Sequence, residues 1–237
     1  MNYLERYHKG EYEQVWNDLQ TLGQTAYKPH YTQAREVAAE TMRRVHRNCE
    51  RLITNLRALG YVFGTFPDGS RRLPIIEPLT PPSDTMHADC AELEAEVGPL
   101  PLSLVAFWQE VGAVDLVGMH PVWPDGLDPL VVDPPEGALA WLFDDVEEEE
   151  EETEEARRFA ALAPDDLHKD NVSGGDPYGV YLPNPSADFV FLYEQHSLHF
   201  VSYLRLAILQ WGGFPGLAEG GGRFEPLSNL IAGLEPF

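Results

Sequence analysis

Glu194, His196 and His199 fall in one short stretch, and a carboxylate beside two imidazoles suits a metal ion or an acid/base pair. The spacing gives little specificity. HExxH is absent, and a polar turn running into a helix that starts near His199 accounts for the same residues. A second polar set, His168, Lys169, Asn171 and Ser173, precedes Gly174-Gly175. Backbone N–H groups around a glycine pair can cradle an anion. The phosphate-loop pattern GxxxxGK[ST] is missing, however, and a tight loop bonded to its own backbone is the competing account. There is no GxSxG, and Cys49 and Cys90 have no CxxC or Cys/His spacing around them. These residues predict no catalytic centre, no bound metal and no cofactor. His168, Lys169, Asn171, Ser173, Glu194 and His196 stay as a candidate polar site. A metal- or small-molecule-dependent enzyme using His168, Glu194 and His196 is the least favoured alternative.

The elements that must position these residues can be read from hydrophobic periodicity. Leu4, Tyr12, Val15, Trp16, Leu19 and Leu22 predict a helix over 2–22. A long helix over 32–59 follows, with a seam of Ala38, Met42, Val45, Cys49, Leu52, Leu56 and Leu59 and with Gly60 as its cap. Arg43, Arg47 and Arg51 form a basic stripe on it, matched by Glu36, Glu40 and Glu50. Four prolines in 74–85 predict a linker. Helices are expected at 86–97 and 102–111, with Pro101 opening the second. Strands are expected at 115–119, 130–132, 138–143, 179–182 and 188–193, and a last helix at 198–211. The predicted organisation is a helical hairpin with a short strand (1–73), a Pro-rich linker (74–85) and an α+β domain (86–237) carrying an acidic insertion at 144–155.

Charge narrows the partner. The net charge is −23. Residues 1–60 hold nine basic and seven acidic residues, a net of +2; the rest hold seven and 32, a net of −25. Such a field repels nucleic acid and anionic membranes and attracts a basic protein. The candidate contact residues are Asp144, Asp145, Glu147, Glu149, Glu151 and Glu154 in the acidic run. Trp123, in a Pro- and Gly-bounded loop, is a candidate apolar anchor. No apolar run approaches the roughly 18 residues of a membrane span. With a charged first segment and two unpaired cysteines, a cytoplasmic location is expected. Oligomeric state stays open.

The stretch 91–112, an acidic helix ending at Gly98, then Leu100-Pro101 opening a helix with Phe107-Trp108, resembles the start of the SUKH superfamily. The resemblance extends over about residues 86–217. The family often has Asn-Gly-Gly after the second helix, where this chain has Val111-Gly112-Ala113, and the first 60 residues lie outside its core pattern. The resemblance implies an α+β fold, a twisted, mainly antiparallel sheet flanked by helices. It also implies a bacterial binding module, with many members resembling immunity proteins that neutralise a toxin and others regulatory or scaffold modules. The function expected is therefore non-catalytic binding of a basic protein such as a toxin domain.

Overall fold

The structure, a computed structural model, describes residues 2–22, 28–72, 77–138, 158–218 and 224–237. The Asn2 side chain accepts from the Leu4 amide at 2.9 Å and starts α1, Tyr3–His8. The chain then turns at Gly10, whose φ of +94° suits a residue without a Cβ, and enters α2, Tyr12–Thr21. The single helix expected over 2–22 is thus two. The long helix, α3, spans Tyr31–Leu59 and ends in a left-handed Gly60. Its predicted seam is buried from Ala38 to Leu56. The basic stripe pairs partly as expected: Arg43 meets Glu40 at 3.2 Å, but Arg47 reaches Glu235 at 2.5 Å.

After α3 come β1, Val62–Phe63, and β2, Leu79–Thr80. Helix α4, Met86–Val97, and helix α5, Leu102–Glu110, follow, joined through Gly98 and Pro101 as their sequence predicts. Strands β3, Ala113–Asp115, β4, Gly118–Met119, and β5, Val131–Val132, come next. Then come β6, Arg158–Ala163; a short α6, Asp166–Lys169; β7, Tyr178–Leu182; and α7, Phe200–Leu204, continued by a wider π-helical stretch Arg205–Gln210. The architecture is α+β. Its strands form three small antiparallel ladders among the described residues, β1–β4, β2–β3–β5 and β6–β7. Residues 188–193, expected as a strand, contribute isolated bridges, Gly179 to Leu192 and Val190 to His199.

The expected boundary at 74–85 is not a break in the core. Leu79 and Thr80 pair with Val114 and Ala113, and the close fit is secured at Gly112, where a Cβ would lie 2.1 Å from the Thr80 carbonyl oxygen. Tyr7, Trp16 and the α3 seam belong to the same buried cluster as Phe107, Trp108, Phe200 and Phe214. Polar ties reinforce this. Gln20 Nε2 donates to Asp188 at 3.0 Å, Asn48 exchanges two 2.9 Å bonds with the Glu235 backbone, and buried Arg205 donates to the carbonyls of Phe237 at 2.5 Å and Tyr12 at 3.2 Å. The N-terminal helices are therefore one side of a shared core, because α3 buries its apolar face against α5 as well as against α1.

Candidate functional site

The residues singled out for polar chemistry are gathered in one half of the molecule but engaged in separate structural tasks. Asp165, 3% exposed, caps α6 by accepting from the amides of Leu167 at 2.9 Å and His168 at 3.1 Å. Its other oxygen takes His168 Nδ1. Gly175 lets the following loop close on that carboxylate, since a Cβ there would lie 2.6 Å from Asp165 Cγ. The glycine pair is a packing device around an acid. Lys169 is 1% exposed, with Nζ 2.5 Å from Asp128 Oδ1 and 4.5 Å from the centre of the Tyr178 ring. Asn171 reaches back to Asp68 at 3.2 Å, tying this loop to the 67–70 turn, and Ser173 is exposed.

Glu194, 4% exposed, accepts from the His196 amide and His196 Nδ1, both at 2.9 Å, and from the Leu198 amide at 2.8 Å. It holds a turn in which Tyr193 and Ser197 both have positive φ. Gln195 bridges to Asp166 at 3.0 Å, which connects the two polar stretches. His199 stands at the start of α7, where the buried Asp188 carboxylate accepts from the Val201 amide. Among the described residues no three His, Cys, Asp or Glu side chains come together as a metal-binding set. A further acid, Asp133, is largely withdrawn from water beside Asp115; burial first, then the Asp115 charge, push its carboxyl up to about 6.

Trp123 is half-buried. It stacks on His120 at 4.5 Å and meets Tyr61, Phe214 and Phe224 at 5.1–5.9 Å, so the residue its loop presents to water is Val122, 82% exposed. Asp144, Asp145, Glu147, Glu149, Glu151 and Glu154 lie outside the described residues, as does most of the strand expected at 138–143.

Elsewhere among the described residues, a groove of about 900 Å³ lies between the first half of α3, α4 and α5. Leu102, Val105 and Ala106 of α5 form its floor, Ala91 and Glu94 of α4 one wall, Tyr31 and Arg35 of α3 the other, and Pro185 its end. The end is fixed because the 183–186 turn rests on the α4–α5 junction: the Asn184 amide donates to the Pro99 carbonyl at 2.7 Å. Helix α4 buries Met86, Cys90, Leu93 and Val97 and leaves Glu92, Glu94 and Glu96 exposed without ion-pair partners among the described residues. Cys90 also lines the groove. Burial first, then Asp89, Glu136 and Glu94, push its thiol up to about 11, so at neutral pH it is an uncharged apolar lining and not a nucleophile. The sequence held a signal for this groove. Leu104, Phe107 and Trp108 mark the core face of α5, yet Leu102, Val105 and Ala106 make its other side apolar too, and a helix without a polar face has two faces to cover.

Comparison with known proteins finds no matching family model, no matching curated protein and no matching solved structure. No helix of the described residues is long and apolar enough to cross a membrane.

Proposed function

We propose that this chain is a non-catalytic protein-binding module that holds a basic partner, in the specific form of an immunity protein neutralising a basic toxin domain. The observation that carries the reading is the acidic excess of residues 61–237. Residues 61–237 hold only seven basic side chains against 32 acidic ones. Three of the seven are drawn inward: Arg72 pairs with Asp115, Lys169 with Asp128, and Arg205 is 9% exposed against backbone carbonyls. Asp115, Asp128, Asp165, Asp188 and Glu194 are buried as well, and what faces water keeps the large acidic excess of the composition. A field of this sign steers a cation-rich protein to the surface, and apolar contacts then set the lifetime of the complex. The likeness of 91–112 to the SUKH opening supports a binding role of this class, and the buried free thiols of Cys49 and Cys90 suit a reducing, cytoplasmic setting.

The test is capture with the immobilised full chain from lysate of its source cell at low and at high salt, followed by stopped-flow kinetics on the protein retained. The expected partner is basic, with an association rate that falls several-fold as added salt shortens the Debye length below about 8 Å, and with a smaller change in dissociation. An acidic partner, or an association rate indifferent to salt, overturns the reading.

A further inference from the structure

We infer that the groove between α3, α4 and α5 receives an amphipathic, cationic α-helix presented by the basic protein partner; this rests on the binding role proposed above. Three features select that occupant. The floor of Leu102, Val105 and Ala106 is apolar and calls for an apolar stripe. The lining carries Glu94 on α4, Glu36 on α3 and Glu110 on α5 against Arg35 and His87, an acidic balance that calls for basic residues beside that stripe. Arg35, on the facing wall, is turned over the Tyr31 ring with its guanidinium carbon 5.9 Å from the ring centre, and Arg43 is held by Glu40 and Glu110, so the α3 side offsets the acidic wall only in part.

Backbone chemistry decides between a helix and an extended segment. A bound strand needs a partner edge of free N–H and C=O groups. The groove is lined by three helices and by prolines, and the first amides of α5 are already taken by the carbonyls of Ser186 at 3.1 Å and Ala187 at 3.0 Å. An extended peptide would lie there with its own polar backbone unpaired. A helix brings its hydrogen bonds with it. A cylinder of about 10 Å diameter occupies roughly 400 Å³ per 5.4 Å turn, so the groove holds about two turns. That length matches an anchor pattern of i, i+3, i+4 and i+7.

The experiment uses the full chain and two synthetic peptides of about 14 residues and identical Leu/Lys composition. One places Leu at i, i+3, i+4 and i+7; the other has the order scrambled. Binding is read by fluorescence anisotropy of labelled peptide at low salt. The patterned peptide is expected to bind about tenfold more tightly than the scrambled one. Val105→Asp should remove that preference. Because Val105→Asp could also damage the fold, Glu94→Lys on the exposed wall provides a second variant, with Glu77→Lys, outside the groove, as its charge-matched control. Glu94→Lys should weaken the patterned peptide several-fold more than Glu77→Lys does. Equal binding of both peptides, unaffected by either groove variant, overturns the groove while leaving the acidic-surface reading intact. Binding of neither peptide also overturns the groove, and the acidic-surface reading then stands or falls on the salt dependence of the captured partner. Self-association of the full chain that Val105→Asp abolishes would assign the groove to a second copy and overturn the inference.

Discussion

The half of the molecule around Asp128, Asp165 and Glu194 and the groove between α3, α4 and α5 treat charge in opposite ways. In the first, each acid is buried and answered: Asp128 by Lys169, Asp165 by His168 and two amides, Glu194 by His196 and two amides. In the second, Glu94 faces water without an ion-pair partner among the described residues, beside a floor of apolar side chains, and Glu92 and Glu96 are likewise exposed on the same helix. The lesson is about where chemistry-bearing residue types end up. His, Lys, Asn and Glu beside a glycine pair look reactive in sequence, but a buried polar group must first satisfy its own hydrogen bonds. Once satisfied it fixes a loop and has little left to offer a ligand. The surface proposed to meet a partner is built from the plainer sequence of α4 and α5.

The largest effect should come from breaking the buried pair. Lys169→Met leaves Asp128, 3% exposed, without its cation, and urea unfolding should show a loss of about 3–5 kcal/mol. Replacing both partners with apolar residues should cost markedly less than the single change. A loss below about 1 kcal/mol for Lys169→Met would mean that this half is not organised by its ion pairs.

Next comes Asp133, which burial and Asp115 hold partly protonated up to about pH 6. Its pKa is higher folded than unfolded, so between roughly pH 4 and 6 the folded state binds more protons, and stability falls as pH rises through that window. Asp133→Asn removes the cost. It should stabilise the protein at pH 7.5 by about 2–3 kcal/mol, with the gain fading towards pH 4. A gain of the same size at both pH values would show that ionisation is not its source.

The smallest effect on stability is expected at the exposed acids of α4. Glu92→Gln, Glu94→Gln and Glu96→Gln should each shift the unfolding midpoint by no more than about 0.5 kcal/mol equivalent. Together they should slow association with the captured partner while leaving its dissociation nearly unchanged. A large loss of stability would place these acids with the structural ones and erase the contrast.

Much of this arrangement can be read from residue order, and the failures have identifiable causes. The boundaries of α3, α4 and α5 follow from local signals: the seam ending at Gly60, then Gly98 and Pro101. Strand β6, Arg158–Ala163, escapes the reading because its three alanines favour a helix, and only pairing with β7 makes it extended. The break at Gly10 is hidden by apolar residues that keep a helical spacing across it. The shared core is hidden as well, since a proline-rich stretch looks the same whether it links two domains or edges a sheet. For the site, spacing identified polar clusters but not their exposure. Lys169, which composition places on a surface loop, is 1% exposed.

Hydrogen–deuterium exchange of the full chain, with and without the captured partner, tests the central claim most directly. Acidic-surface binding seated in the groove predicts new protection over 86–110 and the first turns of α3, with 165–178 and 193–199 unchanged because they lie outside the groove. Protection confined to 165–199, with α4 and α5 exchanging as in the free protein, would contradict it.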